Sequence, residues 1–148
     1  MYKGDWPRGF FAMSVILIVE DDEQVRVLAE SVLRDAGYEV LAATAQEGAQ
    51  ALLNSDQSID LVFVDVNLGG DLEAGLRIAQ NARERRPVLP VVYTTGQGVD
   101  DGKKALFADP YLFLPKPYTS EQLISSVVYL LKKNDGSPPD LPSLAQSA

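Results

Sequence analysis

Between Val15 and Lys133, compact apolar runs alternate with segments whose apolar residues recur at helical spacing. The runs are VILIV at Val15–Val19, YEVLAA at Tyr38–Ala43, LVFVDV at Leu61–Val66, PVVYTT at Pro90–Thr95 and YLFL at Tyr111–Leu114. Their lengths suit strands, and runs with almost no polar face imply burial on both sides. Strands separated by helical segments predict an α/β fold, a parallel sheet covered by helices on both faces.

After the first strand, Val25, Leu28, Ala29, Val32, Leu33 and Ala36 predict a helix, and Gly37 follows where a left-handed C-cap belongs. Thr44 with Glu47, and Thr119 with Gln122, match the capping box, in which the two side chains satisfy backbone N–H groups at a helix start. They are expected to open the second and last helices. The last helix carries Leu123, Ile124, Val127, Val128, Leu130 and Leu131 and ends in Lys132 and Lys133, which suit the negative end of its dipole. The helix after the fourth strand is the weak one. Gly96, Gly98 and Gly102 surround its start, each costing about 1 kcal/mol relative to Ala if helical, so mobility is expected there.

Residues 14–133 are thus read as one domain, preceded by an extension over residues 1–13 that carries Trp6, Phe10 and Phe11. From residue 134 the run NDGSPPDLPSLAQSA has too little apolar surface to offset its ordering entropy and is expected to be a disordered tail. A chain of 148 residues with 46% hydrophobic composition fits a single core. No apolar run approaches the roughly 20 residues of a membrane span, and no secretory signal is evident, so a soluble protein is expected. The absence of cysteine removes disulfides, thiolate nucleophiles and Cys-based metal sites, and fits a reducing cytoplasm. The absence of histidine removes imidazole bases, His-ligated metals and phosphohistidine on this chain. A net charge of −8 opposes direct nucleic-acid binding.

Functional groups in a parallel sheet gather beyond the carboxyl ends of the strands. There this chain carries Glu20, Asp21 and Asp22 after the first strand and Asp65 and Asn67 at the third. Thr94, Thr95 and Gly96 stand at the fourth, and Lys116 and Pro117 after the fifth. Each has a structural reading: the acidic triplet as a helix cap, Asp65 as a turn former, Thr95 as a β-former, Lys116 as a solvated charge. Their coincidence at one sheet edge is what points to chemistry. Clustered carboxylates call for a cation, and Mg²⁺ prefers such hard oxygen ligands. A carboxylate nucleophile, a lysine and a threonine hydroxyl complete the needs of phosphoryl transfer.

ILIVEDDEQVRVL, LVFVDVNL, PVVYTTG and LPKPY, in this order and on these strands, resemble the receiver domains of two-component response regulators, and in particular stand-alone, chemotaxis-regulator-like ones. The resemblance covers about Ser14 to Lys133 and implies a flavodoxin-like five-stranded parallel sheet of order 2-1-3-4-5. By the same resemblance Asp65 matches the phospho-acceptor. Glu20, Asp21, Asp65 and the Asn67 backbone carbonyl match the Mg²⁺ site. Thr95 matches the switch hydroxyl, Lys116 the phosphoryl-contacting lysine before a cis Pro117, and Phe113 the aromatic switch. The implied donor is a phosphohistidine on a sensor histidine kinase or histidine phosphotransfer protein, with signalling passing to an unidentified downstream protein. The implied protein is a cytoplasmic monomer or weak dimer. It catalyses its own aspartyl phosphorylation and dephosphorylation rather than acting as an ordinary enzyme.

Three features depart from the family pattern. The loop after Asn67 reads LGGDLEAG, about two residues longer than usual and without its proline. Pro110 precedes the fifth strand and is expected to disturb its approach. The third departure is the N-terminal extension. Tyr111, Phe113 and Tyr118 could form a partner surface or simply pack the sheet edge. The alternative function is a pseudo-receiver that binds partners without being phosphorylated, which the intact acidic cluster argues against. A haloacid-dehalogenase-type phosphatase would want a carboxylate where Asn67 stands, and no nucleotide-binding glycine motif follows any strand.

Overall fold

The computed structural model describes residues 13–96, 107 and 109–134. The expected helix after the fourth strand, the terminal extension up to residue 12 and the tail beyond Asn134 lie outside the described residues. Five parallel strands are present: β1 (Val15–Val19), β2 (Glu39–Ala43), β3 (Leu61–Asp65), β4 (Val91–Thr95) and β5 (Tyr111–Pro115). They lie in the order β2-β1-β3-β4-β5. Tyr38, Val66 and Pro90 fall just outside the strands, and the carbonyl of Pro90 accepts from Val62 N–H at 3.0 Å.

Four helices are described: α1 (Glu23–Asp35), α2 (Gln46–Leu53), α3 (Ala74–Arg85) and α4 (Ser120–Asn134). Strand alternation divides the core into two layers. Ile16, Ile18 and Phe63 pack with Ala29 and Leu33 of α1 and with Leu123, Val127 and Leu130 of α4. Leu17, Val19, Val62 and Val64 pack on the other face with Ala49 and Leu53 of α2 and Ile78, Ala79 and Ala82 of α3. The apolar runs are continuous because β1, β3 and β4 are buried on both faces. On α1 the apolar stripe is wider than the core can use, and Leu28 remains 63% exposed.

The helix ends differ from one another. Gly37 has φ +102°, past the C-cap Ala36, as the left-handed position requires. At α4 the capping box forms: Gln122 N–H donates to Thr119 Oγ1 at 3.0 Å and Thr119 N–H to Gln122 Oε1 at 2.8 Å. At α2 it does not. The helix starts one residue late for it, so that Ala45 is the N-cap and no side chain caps the end.

Two features outside the apolar pattern hold the layers in place. Arg86, just past α3, donates from Nε to Leu53 O at 3.1 Å and from Nη2 to Ser55 O and Gln57 O at 3.0 and 2.9 Å. One guanidinium thereby satisfies the last carbonyl of α2 and two carbonyls of the loop that follows it. Gly75, in the first turn of α3, sits against the end of β3: a Cβ there would stand 2.3 Å from Asp65 O and 2.7 Å from Val66 Cα. Its N–H donates to Val66 O at 2.9 Å. Arg86→Ala is expected to lower stability by about 2–3 kcal/mol in urea unfolding, with little recovered by Arg86→Lys, whose ammonium cannot fork across three carbonyls. Gly75→Ala is expected to cost about 1–3 kcal/mol, because α3 must back away from rigid backbone. Wild-type stability in either case would remove the corresponding contact from the account of the fold.

Candidate active site at the carboxyl ends of β1 and β3

The strand order reverses between β1 and β3, and the crevice at their carboxyl ends is where such sheets place a ligand. Glu20 follows β1 directly and Asp65 ends β3. Both are buried. Oxygens of Glu20, Asp21 and Asp65 lie within 4.8 Å of one another, a set able to hold one cation. The acidic triplet therefore divides. Glu20 and Asp21 join the cluster, while Asp22 is the N-cap of α1, accepting from Gln24 N–H and Val25 N–H at 3.0 and 3.2 Å. The capping reading of the triplet thus holds for Asp22 alone.

Lys116 reaches the cluster from the end of β5. Its Nζ lies 2.9 Å from Glu20 Oε1 and 2.8 Å from Asp65 Oδ2. Three of the four remaining oxygens take backbone donors: Asp22 N–H to Glu20 Oε2 at 3.1 Å, Asn67 N–H to Asp65 Oδ1 at 3.0 Å and Gly69 N–H to Asp21 Oδ2 at 2.9 Å. Three carboxylates against one ammonium leave two negative charges in excess. Burial pushes the Glu20 carboxyl above its ordinary range, and hydrogen bonds from Lys116 and Asp22 only partly counter it. Burial pulls the Lys116 ammonium down, but its hydrogen bonds to Asp65 and Glu20 outweigh that and leave it raised. Lys116 thus stays charged while burial resists ionisation of Glu20 beside it. A divalent oxygen-seeking cation such as Mg²⁺ fits this donor set in charge and in chemistry.

Thr95 is buried at the end of β4, where it pairs with Pro115, and its carbonyl accepts Lys116 N–H at 3.1 Å. Asn67 lies on the loop after β3, with its side-chain Oδ1 buried and without a hydrogen-bond partner. Phe113 does not enter the acidic cluster. It packs in the layer of α2 and α3, stacked on Phe107 at 6.0 Å. Tyr111 lies edge-on to Tyr93, and Tyr118 edge-on to Phe63 in the opposite layer, so these rings pack the sheet edge. The Lys116–Pro117 bond is cis. So is Asp109–Pro110, and far from disturbing β5, Pro110 offers its carbonyl to Val91 N–H at 3.1 Å and to Arg83 at 2.9 Å.

The loop after Asn67 holds what the motifs did not reveal. Leu68 and Asp71 form a two-residue hairpin with Gly69 and Gly70 at φ +57° and +86°. This is a type I′ geometry, for which a Gly-Gly pair is the sequence signal. Asp71 Oδ1 accepts Glu73 N–H at 3.1 Å, and its Oδ2 pairs with Arg77 of α3.

A model of the response regulator receiver domain matches residues 16–128. The uncharacterized transcriptional regulatory protein YrkP of Bacillus subtilis is 34% identical over 80% of this chain and 49% of its own length. The nitrogen assimilation regulatory protein NtrX of Azorhizobium caulinodans is 30% identical over 74% of this chain and 24% of its own. This chain therefore spans half or less of these relatives. The crystal structure of a response regulator receiver protein from Sinorhizobium medicae superposes with a TM-score of 0.76 at 32% identity, covering 82% of this chain and 97% of that one. With the matched residues running from β1 into α4 and the acidic cluster lying within them, the chain belongs to the receiver domain family of two-component response regulators.

Proposed function

We propose that this receiver domain, residues 14–133, accepts a phosphoryl group on Asp65 from the phosphohistidine of a sensor histidine kinase or histidine phosphotransfer protein, and so acts as a cytoplasmic signalling switch or relay. The observation that carries this reading is the Asp65 carboxylate: buried at the strand-order reversal, within 4.8 Å of Glu20 and Asp21 and bonded to Lys116 at 2.8 Å. In the transfer an Asp65 oxygen attacks phosphorus in line. The bond from phosphorus to the donor's imidazole nitrogen breaks, and its electron pair leaves with the imidazole. Hydrolysis later adds water at phosphorus, releases inorganic phosphate and restores the carboxylate.

Lys116 loses its partner oxygen when Asp65 becomes an acyl phosphate, and its ammonium turns to the new phosphoryl oxygens. Glu20, Asp21, Asp65 and the Asn67 carbonyl would hold Mg²⁺, which when bound neutralises charge on those oxygens. The buried Thr95 supplies the hydroxyl that closes on them, and Phe113 on the adjoining strand responds. A cleft of about 470 Å³ beside Lys116, lined by Val25, Leu28, Pro117 and Tyr118, gives the donor protein an apolar landing next to the acceptor. The downstream partner is another protein rather than nucleic acid, consistent with the net charge of −8. The domain works as a monomer or weak dimer.

Incubation with Mg²⁺ and acetyl phosphate is expected to add one phosphoryl group to the intact mass, and none in Asp65→Asn or without Mg²⁺. No gain in the parent chain would favour the pseudo-receiver, a binding module. Electrostatics gives a second expectation. Because burial raises Glu20 above its ordinary value of 4.5, its contribution to stability is fully present below that value and is lost as pH rises through the folded value. In EDTA, Glu20→Gln should therefore melt close to the parent near about pH 4 and above it near about pH 7. Adding Mg²⁺ should raise the melting temperature of the parent and not of the variant. Parallel pH curves for the two would exclude charge burial as the cause.

A further inference from the structure

Of the groups around the acidic cluster, the Asp21 carboxylate is the exposed one, so least packing fixes its orientation. Among the described residues, what holds it is a single backbone donor from a distant part of the chain, Gly69 N–H at 2.9 Å. That amide sits at the tip of the hairpin closed by Leu68 and Asp71, whose backbone groups exchange bonds of 3.1 and 2.9 Å. Asp71 is tied to Arg77, and Arg77 also donates to Gln46 Oε1 of α2 at 3.4 Å. A continuous chain of contacts thus runs from two helices through Arg77, Asp71 and the Gly69 amide to a carboxylate of the cation site.

We infer that this hairpin is an outer clamp on the Mg²⁺ site, with Arg77 and Asp71 as positioning residues that act through the Gly69 N–H to hold Asp21 in its ligating orientation. The inference rests on the reading of the cluster as a Mg²⁺ site. An exposed carboxylate left to itself samples several rotamers, and each ligand that must be ordered on binding weakens the site. The hairpin does this ordering beforehand. Gly69 N–H engages Asp21 Oδ2 alone, and a group that fixes a ligand from behind tunes metal affinity. Gly69 and Gly70 are needed because the amide can turn toward Asp21 only from a left-handed backbone, which a side chain at either position would strain.

The test is Mg²⁺ binding by calorimetry on the full chain, for the parent, Arg77→Ala, Asp71→Ala and Arg77→Lys, with melting temperatures in EDTA alongside. Both alanine variants are expected to bind Mg²⁺ about tenfold more weakly, the low end of what loss of an outer partner costs a metal site, with metal-free melting unchanged in Arg77→Ala and lowered slightly in Asp71→Ala, which also loses the bond from Glu73 N–H. Arg77→Lys should recover most of the loss, because the pair to Asp71 can re-form. The Gly69 amide should be protected from hydrogen exchange in the metal-free parent and lose that protection in Asp21→Ala and Arg77→Ala. Parental affinity in both alanine variants would overturn the clamp, as would a loss of affinity matched by an equal loss of metal-free stability. If the parent itself binds no Mg²⁺, the reading of the cluster fails, and the clamp with it.

Discussion

The bridge that Lys116 makes between Glu20 and Asp65 is the interaction on which the rest of the site depends. Two carboxylates buried side by side repel by about 4 kcal/mol at 4 Å even with an effective dielectric constant near 20. One ammonium at 2.8–2.9 Å from both makes the pair tolerable. It does not make the site neutral. The compensation is also conditional, because esterifying Asp65 removes half of what Lys116 binds. Under the function proposed above, the group that stabilises the resting site would be the one released by the chemistry, and a phosphoryl group on Asp65 would act first on the strand end that carries Lys116.

Backbone donors share with Lys116 the orientation of the acids. At the ends of β1 and β3 the chain uses one device twice. Glu20 accepts the N–H two residues on, from Asp22, and Asp65 accepts the N–H two residues on, from Asn67. Such turns fix a carboxylate with no added side-chain entropy cost. They also place Asp22 to cap α1 and bring Asn67 out of β3 toward the loop. The close approach of Gly75 then seats α3 directly behind Asp65, leaving no slack at the end of β3.

Much of this was legible in the sequence. Continuous apolar runs gave the strands because burial on both faces leaves no polar alternation to confuse the reading, and the Thr119–Gln122 box formed as its spacing implied. The Thr44–Glu47 box failed because the same spacing is useful only if the helix starts at the right residue, and α2 starts past Ala45. Asp22 showed how a composition of adjacent acids hides a division of labour that depends on where the first helical turn begins. Arg86, Arg77 and the Gly69 amide were not legible, since each acts on backbone or on partners about 6 to 48 residues away, and no periodicity encodes that. The Gly-Gly pair was readable as a tight turn, but its target was not.

The sheet also decides where a change at Lys116 can go. β1, β3 and β4 are buried on both sides, and close-packed interiors resist small displacements. β5 is an edge strand, with Tyr111, Leu112 and Phe113 only partly buried, and it carries Lys116 just past its end. Its pairing of Thr95 with Pro115 and of Tyr93 with Phe113 ties the carboxyl end of the sheet to an aromatic stack in the layer of α2 and α3. A shift imposed at Lys116 therefore meets least resistance along β5, because the strands on the inner side would have to open two packed layers at once. The least buried strand of this end of the sheet is the one attached to Lys116, and under the proposed function that asymmetry would let a charge change at Asp65 reach the surface without disturbing the core.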